Sequence, residues 1–129
     1  MNNEKRDTDE IKRVVQLYFD GLNKHDFSKI EEAFWLKTKI LGITPNEEFR
    51  INLTDNWKER FQNPPNKELE ERTTTLIESI DITGNAAVAK VKWIIKETDK
   101  TFECTDYLSL LRIDNVWKIV NKSWSGEYK

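Results

Sequence analysis

The chain has 129 residues, of which 37% are hydrophobic and 34% charged, and its formal net charge is -2 at pH 7. This length predicts one domain over residues 1–129, with about residues 1–6 disordered. The near-neutral charge without a basic stripe argues against a nucleic-acid partner, and the short apolar runs argue against a membrane span. The single cysteine, Cys104, cannot form an internal disulfide, so we expect a reducing, cytoplasmic location.

Periodic apolar residues at the start of the chain predict two helices. The first helix follows from five apolar residues at helical spacing: Ile11, Val14, Val15, Tyr18 and Leu22. Asp7 and Glu10 suit a capping box at its start, and we expect it to end near Gly21 to Asn23. Asp26 predicts the N-cap of a second, shorter helix. Because few residues join the two helices, they should pack as an angled pair.

Two short strands and a third helix are predicted next. Residues 38–44 are rich in β-branched types and stop at a proline, which predicts a short strand, and residues 49–53 predict a second one. Thr54 suits the N-cap of a third helix that carries Trp57 and Phe61 four positions apart. An Asn-Pro-Pro-Asn segment ends this helix.

The second half of the chain alternates with period two and predicts long strands. Strands are expected over residues 71–83 and 86–98, and the second places one apolar set on a single face: Ala87, Ala89, Val91, Trp93 and Ile95. Residues 102–125 predict a hairpin that turns at Asp114-Asn115. Both strands of this hairpin have apolar residues on both faces, so we expect it inside a sheet and covered on both sides.

Helices followed by a meander of antiparallel strands predict an α+β fold in which the helices cover one face of the sheet. A sheet of such long strands twists and curls around the helices. The concavity between them is where we expect a small-molecule pocket.

Two stretches resemble a known family. Residues Asp106 to Trp124, DYLSLLRIDNVWKIVNKSW, resemble the carboxy-terminal signature of the putative lumazine-binding family in the nuclear-transport-factor-2-like (NTF2-like) superfamily. Residues Val14 to Phe34, VVQLYFDGLNKHDFSKIEEAF, are similar to the first two helices of that family and of its relatives, the ketosteroid isomerases and polyketide cyclases. The resemblance implies a cone-shaped fold, with three N-terminal helices on a strongly curved, mostly antiparallel sheet. It also implies a homodimer through the outer sheet face.

The isomerase relatives allow a residue-by-residue comparison. An isomerase of this fold needs a carboxylate base on the first strand and two oxyanion-hole donors. Tyr18 matches the first donor, the second falls on Ser109, and the base position falls on or near Gly42. No Asp or Glu lies within that strand, which argues against steroid-isomerase chemistry. The family's His-Pro-Asp turn after the second helix is replaced here by residues 35–37, Trp-Leu-Lys.

Eight residues are predicted to line a ligand pocket inside the cone: Tyr18, Trp57, Phe61, Trp93, Tyr107, Ser109, Lys122 and Trp124. The aromatic side chains suit a flat or apolar molecule, and a lysine suits an anionic group. Each residue also has an ordinary alternative role, as a core aromatic or as a solvated lysine at the rim. Asp106 is expected to face the opposite way, toward the outer surface.

Three functions are open on this sequence. The first is a dimeric binder of a small apolar or flat aromatic molecule. The second is an enzyme of the dehydratase, cyclase or isomerase type without the usual base, and the third is an interaction module with an occluded pocket. No metal or cofactor is expected, because His25 is the single histidine and the four glycines form no phosphate-binding loop.

Overall fold

The computed structural model describes residues 3–129, and the α+β fold class predicted from the sequence is confirmed. The helices are α1 (Asn3–Lys24), α2 (Phe27–Ala33), α3 (Thr54–Arg60) and α4 (Lys67–Glu71). The strands are β1 (Lys39–Ile43), β2 (Phe49–Leu53), β3 (Thr73–Thr83), β4 (Ala86–Lys96), β5 (Thr101–Ile113) and β6 (Val116–Tyr128). Across residues 3–129, none of the helices has the length and apolar character needed to cross a membrane.

Helix α1 begins earlier than the sequence predicted. It starts at Asn3, inside the segment of about residues 1–6 that was predicted to be disordered, and residues 1 and 2 lie outside the described residues. The predicted capping box at Asp7 is therefore wrong. The Asp7 carboxylate instead accepts hydrogen bonds from Arg112 Nη1 (2.9 Å) and Trp117 Nε1 (3.1 Å), and so ties α1 to the last hairpin.

The shorter helices are fixed by side-chain caps. Asp26 caps α2 as predicted, by accepting a hydrogen bond from Ser28 N. Thr54 is the first residue of α3 rather than its cap. The sequence did not predict α4, which Asn66 caps by accepting a hydrogen bond from Leu69 N at 3.0 Å.

The strands form one curved, unclosed sheet in the order β2-β1-β6-β5-β4-β3. Only the pair of β1 and β6 is parallel among the pairs that the described chain forms. The β5–β6 turn is the predicted one, because Asp114 and Asn115 both have positive φ, 50° and 67°, as a two-residue hairpin turn requires.

A bulge in β6 changes which side chains face the helices. Leu110 pairs with Ile119 while Ser109 pairs with Asn121, so Val120 is the extra residue. Trp117 and Ile119 are buried before the bulge, and Lys122 is buried after it. Simple alternation along β6 would put Val120 on the same face as Lys122, but the bulge separates them.

A second bulge lies in β3. The register shifts between Ile77 and Ser79, which makes Glu78 the extra residue. Ile77, Ile80 and Ile82 pack against the core, whereas Leu76 is exposed. Simple alternation along the strand would place Leu76 on the same face as Ile80 and Ile82, but the bulge reverses the alternation between them.

The core lies between α1 and the inner face of the sheet. It joins Ile11, Val14, Val15, Tyr18 and Phe19 of α1 with inner-face residues of three central strands: Ala89, Val91, Leu108, Leu110, Trp117 and Ile119. The outer face has no cover within the described chain, although the sequence predicted that the last hairpin would be covered twice. This face is where Tyr107, Leu111 and Val116 are exposed.

Candidate functional site

A buried carboxylate, that of Asp106 on β5, is the centre of a polar cluster inside the cone. Its Oδ2 accepts hydrogen bonds from the Tyr18 hydroxyl (2.5 Å) and from Trp93 Nε1 (3.0 Å). Its Oδ1 accepts one from the Cys104 thiol (3.4 Å), and Lys122 Nζ lies 3.7 Å from Oδ2. We call these five residues the Asp106 cluster. The carboxylate, fully removed from solvent, thus has four donors around it.

The strand register brings these side chains together. Trp93 on β4 pairs with Cys104 on β5, two residues before Asp106, so all three project from the inner face. Tyr18 reaches them from the buried stripe of α1. Lys122 reaches them because the β6 bulge turns it inward, where it is only 7% exposed.

The sequence assigned the faces of β5 the wrong way round. Tyr107 is 48% exposed and Ser109 is also exposed, so both lie on the outer face, while Asp106 and Leu108 are buried. The predicted inward orientation of Tyr107 and Ser109 is wrong, and so is the outward orientation of Asp106. The alternation was ambiguous because both faces of β5 carry large apolar residues.

Asp106 is therefore the central residue of this cluster that sequence reasoning missed. It, and not Ser109, is the β5 side chain that reaches the Tyr18 hydroxyl. A signal was present, because Asp106 alternates with Cys104, Leu108 and Leu110 in a central strand. A lone acid in an apolar series of this kind indicates a buried, hydrogen-bonded carboxylate.

Aromatic rings close the cluster on the helix side. Trp57 of α3 stacks on Tyr18, with ring centroids 6.1 Å apart. Lys122 Nζ lies 5.1 Å from the centroid of the Tyr18 ring and 5.3 Å from that of Trp57, within the range of a cation–π contact. Trp57 and Tyr18 are both buried, so the centre of the cone is filled by side chains.

Burial sets the protonation of two members of the cluster. It raises the pKa of the Tyr18 hydroxyl well above its ordinary value, and the neighbouring Asp106 charge raises it further. Burial, with a smaller contribution from Asp106, also raises the pKa of the Cys104 thiol to about 12. Both groups therefore stay protonated and act as hydrogen-bond donors at neutral pH, and Cys104 has little thiolate character.

The place of the isomerase base is filled by an indole ring. Gly42 on β1 pairs with Trp124 on β6. A Cβ atom on Gly42 would lie only 1.9 Å from Cε2 of Trp124, so the ring rests on the bare backbone of this glycine. No carboxylate side chain fits at this position while Trp124 keeps its place.

A cavity of about 300 Å³ lies where β4 ends and β5 begins, next to the Asp106 cluster. We call it the rim cavity, and its walls are Leu22, Asn23, His25, Arg60, Asn66, Leu69, Glu70, Thr73, Trp93, Ile95, Phe102 and Cys104. Trp93 and Cys104 belong to both the cavity and the cluster. They form the wall between the two.

The eight predicted pocket residues fall into three groups in the structure. Trp93 alone among them lines the rim cavity. Five lie inside the cone or pack on its core away from that cavity: Tyr18, Trp57, Phe61, Lys122 and Trp124. Tyr107 and Ser109 lie on the outer face. Most of the cavity wall was missed because it comes from helix ends and from α4, which show no apolar periodicity.

A family model described as "Putative lumazine-binding" matches residues 6–125. Among solved structures, an NTF2-like protein of unknown function from Shewanella baltica OS155 is similar with a TM-score of 0.79 and 22% identity, over 98% of both chains. An NTF2-like protein of unknown function from Silicibacter pomeroyi DSS-3 has a TM-score of 0.77 and 20% identity, over 98% of this chain and 100% of that one. The S. rosetta CaMKII hub has a TM-score of 0.68 and 12% identity, over 92% and 95% of the two chains. No curated protein matches the chain.

Proposed function

Because the chain belongs to the family described as putative lumazine-binding, within the NTF2-like proteins, we propose that it binds a small apolar or flat aromatic molecule in the rim cavity. The observation that carries the proposal is the cavity itself. Its volume of about 300 Å³ is at the lower end of the range for ligand pockets, which suits a small molecule.

The composition of the cavity wall supports a ligand with an apolar body. Five of the lining side chains are apolar or aromatic: Leu22, Leu69, Trp93, Ile95 and Phe102. A few polar groups stand among them at the ends of α1, α3 and α4. Ligand pockets have this combination, in which apolar walls supply affinity and a few polar groups fix orientation.

Binding is favoured over catalysis by what surrounds the Asp106 cluster. Tyr18 and Asp106 are fully buried behind Trp93 and Cys104, so a ligand in the rim cavity does not touch them. The ring of Trp124 occupies the place of the base. A substrate could contact Tyr18 or Asp106 only after the side chains that cover them had moved.

A second candidate is an enzyme of the dehydratase, cyclase or isomerase type. It is supported by one observation: the Asp106 carboxyl group accepts a hydrogen bond from the Tyr18 hydroxyl at 2.5 Å, and a tyrosine beside an acid is the residue pair that forms the oxyanion hole of ketosteroid isomerase once the acid is protonated. Tyr18→Phe tests it. Unchanged turnover of every accepted substrate by this variant would contradict the enzyme hypothesis.

Binding is tested by thermal-shift screening of small flat aromatic compounds against matched variants. Leu69→Trp fills the cavity, while Leu36→Trp makes the same change at an exposed leucine outside the sheet and away from the rim cavity. We expect compounds that stabilise the wild type to stabilise Leu36→Trp equally and Leu69→Trp little. Equal shifts in both variants, or no stabilising compound, would contradict the proposal.

We also propose a cytoplasmic homodimer that forms through the outer sheet face. Apolar side chains exposed on that face support the dimer: Leu76, Val88, Tyr107, Leu111, Ile113 and Val116. The lone Cys104, which has no internal disulfide partner, supports a reducing compartment. A pure interaction module would use the same surface, but the open rim cavity argues against the occluded pocket of that alternative.

A further inference from the structure

We infer that the ligand of the rim cavity carries a carboxylate and that Arg60 binds it. This inference rests on the proposed function and adds the chemical class of the ligand, a small flat or apolar monocarboxylate. It follows from the position of Arg60, from its lack of an acidic partner and from the charge balance of the cavity wall.

Helix α3 positions Arg60 over the cavity. Arg60 is the last residue of α3 and follows Trp57 by three positions, so both side chains lie on the same face of the helix. Trp57 uses this face to stack on Tyr18 inside the cone. One turn later, Arg60 lines the rim cavity.

The guanidinium of Arg60 has no acidic partner within residues 3–129. The guanidinium lies over the ring of Phe61, with Cζ of Arg60 5.7 Å from the ring centroid. The residue as a whole is exposed, but partial burial of the guanidinium lowers its pKa. A guanidinium that lines a cavity and has no carboxylate partner is available to bind an anionic ligand.

The other ionisable groups of the wall do not cancel this charge. Lys24 holds Glu70 through both carboxylate oxygens, at 3.0 and 2.8 Å, so that pair is neutral. His25 Nδ1 lies 2.8 Å from the carbonyl oxygen of Asn63, to which it donates a hydrogen bond. The wall of the cavity therefore has one unbalanced positive charge, that of Arg60.

A second donor lines the same cavity as the arginine. The side-chain oxygen of Asn66 caps α4, which leaves its NH₂ group without a hydrogen-bond partner among the described residues. The planar fork of a guanidinium matches the two oxygens of a carboxylate, and an amide NH₂ adds a further donor. Because Arg60 supplies a single positive charge, we expect a ligand with one negative charge. Because the cavity walls are largely apolar, we expect the rest of the ligand to be hydrophobic.

Two probes that differ only in charge test the inference by isothermal titration calorimetry, 2-naphthoate and 2-naphthamide. We expect the wild type to bind the carboxylate at least about tenfold more tightly than the amide, because a hydrogen bond between two charged groups is stronger than one to a neutral acceptor. Arg60→Gln should lose this preference and leave the affinity for 2-naphthamide within about twofold.

Lys58→Gln is the matched control. Lys58 and Arg60 are the two basic residues in the last turn of α3, so both variants remove one charge from the same helix end. We expect Lys58→Gln to keep the preference for the carboxylate. Urea unfolding of all three proteins separates a loss of binding from a loss of folding.

The outcomes separate the inference from the proposed function. If both probes bind the wild type equally and Arg60→Gln changes neither affinity, the inference is overturned and the proposed function stands. If Lys58→Gln loses the preference as fully as Arg60→Gln does, general charge rather than Arg60 is responsible, and the inference also falls. If neither probe binds the wild type, the inference is overturned, and the proposed function then stands or falls with the thermal-shift screen alone.

Discussion

At the residue scale, the Asp106 carboxylate holds together side chains from three other elements and its own strand. Tyr18 comes from α1, Trp93 from β4 and Lys122 from β6. A buried charge is costly unless donors and an opposite charge surround it, and here both are present. The cluster therefore links the first helix to the centre of the sheet.

Replacing Asp106 should destabilise the folded chain, because Lys122 then stays buried without an opposite charge. Asp106→Leu leaves the Lys122 ammonium inside the cone without its counter-charge, and we expect the free energy of unfolding to fall by about 3–5 kcal/mol. Urea unfolding at neutral pH measures this. Adding Lys122→Met should recover more than half of the loss, because the orphaned charge is then removed.

A more exposed acid on the same strand provides the control for this prediction. Glu103 pairs with Lys92 at 3.5 Å and Lys129 at 3.4 Å near the surface. Glu103→Leu should cost no more than about 1 kcal/mol. A double variant at Asp106 and Lys122 that is no more stable than Asp106→Leu alone would contradict the pairing.

Tyr18 should make the stability of the protein depend on pH in the alkaline range. Its pKa is raised in the folded chain, so above the ordinary tyrosine pKa of about 10 the unfolded chain releases a proton that the folded chain keeps. The stabilisation is complete below pH 10. We expect the free energy of unfolding to fall above it by about 1.4 kcal/mol per pH unit.

Urea unfolding between about pH 9 and about pH 11 tests this dependence on Tyr18. In Tyr18→Phe the free energy of unfolding should fall less steeply with pH, because the contribution of one proton is lost. Tyr107→Phe removes an exposed tyrosine and should keep that contribution. Identical slopes for the wild type and Tyr18→Phe would show that Tyr18 ionises equally in both states.

The sequence could predict Tyr18 as inward-facing, because the helical periodicity of α1 is unambiguous. It could not predict that Asp106 faces inward. Both faces of β5 are apolar, so either face could be the one that packs on the helices. Only pairing with the neighbouring strands selects one of them. The face that a strand buries is therefore decided by its neighbours in the sheet. The face that an amphipathic helix buries can be predicted from the sequence of the helix alone.

At the element scale, the two bulges decide what the sheet presents to the helices. The extra residue Val120 turns Lys122 and Trp124 inward, and the extra residue Glu78 turns Leu76 outward. Helix and strand types were predictable from periodicity over most of the chain. The bulges were not, and neither was α4, whose sequence KELEE offers a single apolar residue, Leu69.

The contact between β1 and β6 should make Gly42 intolerant of any side chain. Gly42→Ala places a methyl group inside the Trp124 ring, and we expect it to lower the free energy of unfolding by about 1–3 kcal/mol. In a Trp124→Ala background the same change should be neutral or stabilise by about 0.5 kcal/mol, because alanine suits a strand interior better than glycine. Equal costs in the two backgrounds, measured by urea unfolding, would contradict the contact.

At the scale of the whole molecule, the sheet has one covered face and one bare face. The inner face packs on α1, while the outer face keeps Val88, Tyr107 and Leu111 in solvent. The sequence could predict apolar residues on both faces of the last hairpin. It could not show which face the helices cover and which face stays bare.

The proposed homodimer should dissociate when a charge is placed on the outer face. A two-fold interface brings identical surface patches together, so Tyr107→Arg repeats each new charge on both sides of the contact. We expect sedimentation velocity to show a dimer for the wild type and a monomer for this variant. Leu36→Arg, which adds the same charge at an exposed leucine outside the sheet, should remain a dimer. A monomeric wild type would contradict the proposal.

The packing of Trp124 on Gly42 also constrains the order in which this fold could gain a catalytic base. Gly42→Asp as a first step would meet the indole and destabilise the chain, so it would be lost before it conferred any activity. Reduction of Trp124 must come first, and that step removes core packing without an immediate benefit. A carboxylate at position 42 therefore requires at least two substitutions, of which the first removes core packing.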